Sequence, residues 1–173
     1  MSDTAAEEMP LPPSLQEIAD DFAAMPEGER LQLLLEFSDG LPDLPPHLTE
    51  HPELLEPVPE CQSPIFLRTE LGPVDGAQAG DGGSGPVPAE ALAATPVRLF
   101  FSAPAEAPTT RGFAGILAEG LDGHSAAEIL SVPADFPLRL SLTKAVSPLR
   151  LNGMSGMLAR IQRQVREHVA ATT

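Results

Sequence analysis

Six of the twenty residues in the stretch 41–60, LPDLPPHLTEHPELLEPVPE, are proline. Proline lacks a backbone N–H, and its ring disfavours helical geometry in the residue before it, so no long helix persists here. The stretch is expected to be an extended connection lying over the core. It delivers the chain to Cys61, the single cysteine among 173 residues.

One cysteine excludes an intramolecular disulfide framework and any multi-cysteine zinc or iron–sulfur site within a single chain. The length suits one domain with a real core. Lys and Arg number 10 against 25 Asp and Glu, a formal charge of −15 that phosphate backbones and anionic membranes repel. Nucleic acid and membrane surfaces are therefore excluded as partners. No apolar run approaches the ~20 residues of a membrane span. The start MSDTAAEEMP has neither the basic residues nor the apolar stretch of a signal peptide, so a cytoplasmic protein is expected. Tryptophan and tyrosine are absent, which leaves no stacking platform for bases or sugars. The acid excess is uneven: residues 1–60 hold 15 acids against Arg30 alone, whereas residues 61–173 hold 10 acids and 9 bases. Such an acidic half either keeps a solvated face soluble or steers a basic partner toward the cysteine.

Residues 1–13 are acidic, carry prolines, and read as a disordered tail. Residues 14–170 read as one domain. Ser14 and Glu17 have capping-box spacing, and Leu15, Ile18, Ala19, Phe22 and Met25 recur at helical intervals. A second helix is expected from Pro26, with Leu31, Leu34, Leu35 and Phe37 forming a broad stripe and Gly40 its stop, so that the two make a hairpin. Runs at Ile65–Leu71 and Val97–Phe101 read as antiparallel strands. Between them, residues 72–88 contain six glycines and three prolines, a composition expected of a flexible loop. Pro108–Leu121 carries apolar residues at helical spacing. Ser125 with Glu128 forms a second capping box before Ile129 and Leu130. From Arg150 the spacing Leu151, Met154, Leu158, Ile161, Val165 predicts a terminal amphipathic helix with Arg160, Arg163 and Arg166 on other faces.

Cys61 lies in a turn bracketed by Pro59 and Pro64, which presents it to solvent or to a partner; a lone cysteine can also be a small buried hydrophobe. A thiol hydrolase needs a base beside the sulfur, and His47 and His51 are close upstream. They share that stretch with Asp43, Glu50, Glu53, Glu56 and Glu60, whose negative charge raises a thiol pKa and opposes a standing thiolate. A self-sufficient cysteine hydrolase is therefore disfavoured, and a thiol activated when a partner docks fits better. The four histidines read as surface residues, and a zinc site of Cys61, His47 and His51 matches no familiar spacing.

ECQSPIFL resembles the cysteine motif of the SufE family, sulfur acceptors that work with cysteine desulfurases in iron–sulfur cluster assembly. LLLEFSDGLPDLP is similar to that family's second helix and Leu-Pro-rich segment, RGFAGILAEGLDGHSAAEIL to its later helix and turn, and KAVSPLRLNGMSGMLARI to its terminal helix. Glu60 stands where the family usually has glycine, Phe66 where tryptophan is common and Arg111 where lysine is frequent. The resemblance implies an α+β fold, SufE/IscU-like, in which a small antiparallel sheet packs against helices. It implies that Cys61 takes sulfur from a persulfide on a SufS-type cysteine desulfurase and relays it toward a SufBCD-type scaffold. A persulfide on Cys61 would rest against apolar residues such as Ile65 and Phe66, and the loop would swing outward on docking. Gln62 and Ser63 would support that loop, and Arg150 would anchor it or face the partner. The chain would need no cofactor of its own, since pyridoxal phosphate belongs to the desulfurase. A non-catalytic adaptor with the same fold, binding the desulfurase without relaying sulfur, is the alternative.

Overall fold

Leu15, Ile18, Ala19 and Phe22 fall on one face of helix α1, Pro13–Ala24, and all four are buried. A computed structural model of the chain describes residues 11–61, 64–71 and 95–171. Residues 1–10 of the tail expected at 1–13, Gln62, Ser63 and the glycine-rich loop expected at 72–88 lie outside the described residues, while residues 11–13 lead into the helix. The helix begins at Pro13 rather than Ser14, and its N-cap Pro12 offers no side-chain cap. Proline suits the first helical position because the N–H it lacks has no acceptor there. The expected Ser14–Glu17 capping box therefore does not form. Instead, Ser14 Oγ donates to the Gly120 carbonyl at 2.9 Å and lies 2.6 Å from His124 Nε2, tying α1 to a distant turn.

After a 3-10 turn at Glu27–Glu29, helix α2 runs Arg30–Asp39 and stops at Gly40. Its apolar stripe is narrower than expected: Leu34 is fully buried, whereas Leu31 is 41% exposed. Phe37 stacks on Phe22 of α1, ring centroids 5.9 Å apart. Arg30, the lone base of the acidic half, donates to the carbonyls of Phe22, Met25 and Ser141. It satisfies backbone acceptors that the end of α1 leaves open.

The proline-rich stretch is less extended than its composition suggests. Helix α3 occupies Pro46–Thr49 and a 3-10 turn occupies Pro52–Leu54, each with proline at a first-turn position where it is tolerated. Strand β1, Glu56–Pro57, then adds a third strand to the expected pair β2, Phe66–Leu71, and β3, Val97–Ser102. The order is β1-β2-β3, antiparallel throughout, with Glu56 opposite Leu67 and Leu67 opposite Phe101. Leu67, Thr69, Val97, Leu99 and Phe101 point into the core, the period-2 pattern of a half-buried sheet.

Helix α4, Pro108–Leu121, packs so closely on α2 that a Cβ on Gly112 would lie 2.6 Å from the Leu34 carbonyl oxygen, and one on Gly115 would strike that of Phe37. Helix α5, Ala126–Leu130, carries the expected capping box, Ser125 with Glu128. Terminal helix α6, Pro148–Ala171, packs on β2, α5 and the turn that holds Cys61. Its buried Gln162 donates to the carbonyls of Ile129 and Val132, joining α6 to the end of α5. The fold is α+β, a small sheet backed by helices. Among the described residues no helix is long and apolar enough to cross a membrane.

Candidate functional site

Strands β1 and β2 are joined by residues 58–65, and Val58 N–H donates across the base of this connection to the Ile65 carbonyl at 3.0 Å. Within it, Pro59–Cys61 makes one 3-10 turn, and Cys61 N–H donates to the Val58 carbonyl at 3.1 Å. Cys61 is thus fixed at the far end of a hairpin connection. It is half-buried and packs against the hydrophobic core, intermediate between the two environments that a lone cysteine allows.

The other wall of the site is one face of α6. Gly153, Gly156 and Arg160 follow at intervals of three and four, which places them in line along a helix. The Cys61 thiol points at the Gly153 carbonyl, 3.4 Å away. A Cβ on Gly153 would lie 3.1 Å from Sγ and 3.2 Å from the Cys61 Cα. A turn further on, a Cβ on Gly156 would come within 3.0–3.1 Å of Cβ, Cγ and Cδ of Glu60. The two glycines form the hollow in which the cysteine turn sits.

Arg160 closes the line. Its Nη2 donates to both carboxylate oxygens of Glu60 at 3.0 Å, and its Nη1 donates to Glu56 Oε2 at 2.7 Å. Glu56, on β1, also accepts from Gln164 at 2.8 Å and from Arg163. Fork-shaped pairing of this kind is the strong form of an arginine–carboxylate contact. The bonds from Gln164, Arg160 and Arg163 outweigh partial burial and hold the Glu56 carboxyl below its ordinary range. Glu60 is lowered by a backbone hydrogen bond first and by Arg160 next. Of the described acids before Cys61, Glu56 and Glu60 are the two that are partly buried, and the others are exposed.

The thiol is driven the opposite way. Burial first, and the neighbouring Glu60 charge next, push Cys61 from 9.0 to about 12, with Arg160 opposing. Removing a charge's solvation favours the neutral form, so the resting sulfur is a protonated thiol and a weak nucleophile. Nor is a base at hand. His47 pairs with Glu70 at 3.0 Å, His51 with Glu53 at 3.1 Å, His124 with Ser14 and Glu128, and His168 with Thr69. No histidine shares a hydrogen bond with Sγ among the described residues, and no His/Cys/Asp/Glu cluster there is arranged to hold a metal ion. The geometry gives no support to a self-sufficient hydrolase or to the Cys61–His47–His51 zinc site.

Of the other sequence candidates, Arg150 is exposed in the first turn of α6, three residues before Gly153, with its backbone N–H donating to Ser147. Gln62 and Ser63 lie outside the described residues. Glu56, Gly153, Gly156 and Gln164 are not candidates from sequence, and Arg160 reads there only as a residue on a non-core face. The available signal is spacing: glycines at 153 and 156 interrupt a helix of otherwise larger residues, and glutamates at 56 and 60 precede the thiol.

A protein-family model described as "SufE: Fe-S metabolism associated domain" matches residues 16–79 and 89–165. An uncharacterized SufE-like protein of Mycobacterium tuberculosis is 51% identical over 157 residues, covering 91% of this chain and 94% of the relative. The SufE-like protein 1, chloroplastic/mitochondrial, of Arabidopsis thaliana is 29% identical over 131 residues, covering 70% of this chain and 35% of the plant protein. The solution structure of a hypothetical protein from Thermus thermophilus superposes with a TM-score of 0.71 at 35% identity, covering 93% of this chain and 99% of the other.

Proposed function

Because the chain belongs to the SufE family, whose domain is associated with Fe-S metabolism, we propose that it is a sulfur acceptor that carries sulfane sulfur on Cys61. The observation that carries this reading is the placement of the lone thiol. It sits in the β1–β2 connection, on the hollow made by Gly153 and Gly156, with no histidine bonded to the sulfur and no cluster arranged to hold a metal ion among the described residues. A site so built is a stopping place for an atom delivered from outside rather than a centre that turns over substrate alone.

In the proposed exchange, a cysteine desulfurase presents a persulfide. Cys61 loses its proton and attacks the outer sulfur; one S–S bond forms on Cys61 as the S–S bond on the desulfurase breaks. The desulfurase cysteine leaves as a thiolate and takes up a proton. No net oxidation occurs, so no separate oxidant or cofactor is needed on this chain. A following thiol, on an iron–sulfur scaffold, removes the sulfur by the same chemistry. The partners are of the SufS and SufBCD types, the setting is cytoplasmic, and Gln62, Ser63 and Arg150 assist as loop-supporting residues.

One apolar side chain beside the site is open to a docked protein: Leu149, one turn before Gly153 on the same line of α6, is 55% exposed. A groove of about 390 Å³ lined by Leu138, Pro148, Leu151, Asn152 and Ser155 lies on another face of the same end of α6. The exposed acids before Cys61 offer a negative field that would steer a basic patch on the desulfurase, a contact that raised salt should slow.

The rate at which a desulfurase releases alanine from cysteine tests the reading against the adaptor alternative. A sulfur acceptor stimulates the enzyme, and Cys61→Ala removes the stimulation while leaving binding intact. If Cys61→Ala stimulates as well as the unaltered chain, the protein is an adaptor.

A further inference from the structure

Arg160 is held unequally by its two carboxylates. On one side Glu56 belongs to strand β1, faces Leu67 across the sheet, and is bonded also by Gln164 and Arg163. On the other, Glu60 belongs to the single turn that ends in Cys61. If the cluster parts, the seam that opens is the one to Glu60, because Arg163 and Gln164 hold Glu56 as well, whereas Arg160 is the side chain that holds Glu60 among the described residues. The turn itself is lightly held. Pro59 supplies no N–H, the thiol contact to Gly153 is 3.4 Å long, and among the described residues Cys61 N–H bonds to Val58, the residue just before the turn, rather than to α6. The Glu60 carboxylate, gripped on both oxygens, is the principal polar tie between this turn and α6. Gly156 completes the fit, since any larger residue there would occupy the space of the Glu60 side chain.

We propose that Glu60 and Arg160 are positioning residues that latch the Cys61 turn onto α6, so that the thiol is presented when this ion pair opens; the inference deepens the sulfur-acceptor reading and rests on it. A partner that docks with a lysine or arginine at Glu60 supplies the exchange, taking the carboxylate while Arg160 remains with Glu56. Outward movement of the turn then carries Sγ away from Gly153 and out of the shielding that keeps it protonated. The pair is partly exposed, with side-chain accessibilities of 26% and 38%, so it is of a strength that a docked charge can displace.

Alkylation of Cys61 by iodoacetamide, with no desulfurase present, separates latching from simple electrostatics because the two predict opposite signs for one variant. Arg160→Gln removes a cation that favours the thiolate, so charge alone predicts slower alkylation. The latch predicts acceleration of about threefold or more, the size expected for parting a partly exposed ion pair. Arg160→Lys, which keeps the charge, should return the rate toward that of the unaltered chain. Gly156→Ala provides a second route, since alanine favours the helix while its Cβ crowds Glu60, and it should accelerate alkylation with Arg160 intact. Slower or unchanged alkylation in Arg160→Gln overturns the latch, and so does an unchanged rate in Gly156→Ala should Arg160→Gln fail to fold. Neither result touches sulfur acceptance, which the alanine-release measurement decides separately.

Discussion

The Cys61 thiol and the Gly153 carbonyl are hydrogen-bonded at 3.4 Å across 92 positions of sequence. This contact seats the turn of one hairpin on the first turns of the terminal helix, and it exists because residue 153 has no side chain. Gly153→Ala would place a methyl 3.1 Å from Sγ and 3.2 Å from the Cys61 Cα, tighter than ordinary contact. The turn must lift. The expected outcome is faster alkylation of Cys61 with a fall in stability of about 1–2 kcal/mol from overpacking, read by thiol-labelling kinetics and thermal unfolding. An unchanged labelling rate would show that the turn is not seated on this helix.

The raised thiol pKa makes a pH prediction. An unshielded thiol is half ionised at about pH 8.5–9 and gains little reactivity beyond about one unit higher. Cys61, pushed up to about 12, should gain alkylation rate by about tenfold per pH unit from pH 7 to pH 10 with no plateau. Stability follows with a definite sign. The unfolded thiol loses its proton near 9.0 and the folded one near 12, so between these values the unfolded state binds fewer protons and stability falls as pH rises. Cys61→Ser should remove this alkaline component from the unfolding curve.

At the acid end the sign reverses. Glu56 and Glu60 hold their carboxyls below the ordinary 4.5, so their contribution is present above that value and is lost as pH falls through the folded pKa. Arg160→Gln removes a partner of both. Its melting temperature should lie below that of the unaltered chain at pH 7, with the gap closing as pH drops below about 4; a constant gap would mean that the cluster contributes no charge pairing.

Helix crossing supplies a prediction far from the thiol. Gly115→Ala puts a methyl into the Phe37 backbone where α2 and α4 meet, and backbone cannot rotate away as a side chain can. A loss of about 2–3 kcal/mol is expected, or a melting temperature lower by roughly 4–12 °C for a chain of this size. By contrast Ser125→Ala, which removes one hydrogen bond of the α5 capping box, should cost about 1 kcal/mol.

Legibility from sequence follows the range of the interactions. Pro108–Leu121, the Ser125 box and the pairing of the Phe66 and Val97 strands are readable because capping and periodicity are local and repeated. The Ser14 box fails because Pro13 competes for the helix start, and the competing hydrogen bonds to Gly120 and His124 come from residues more than a hundred positions away. Strand β1 is invisible in the sequence because two residues, one of them proline, carry no strand pattern until β2 lies beside them. The site divides in the same way. Cys61 declares itself by being alone, whereas Arg160 and Gly156 acquire meaning only when the turn at 59–61 is laid against α6.

Intact-mass measurement of the chain after incubation with a cysteine desulfurase and cysteine, followed by reduction, tests the central claim most directly. Sulfane sulfur on Cys61 predicts a species heavier by one sulfur atom before reduction, its disappearance afterwards, and no such species from Cys61→Ser. A chain that binds the desulfurase and stimulates it while its own mass never changes would contradict the account.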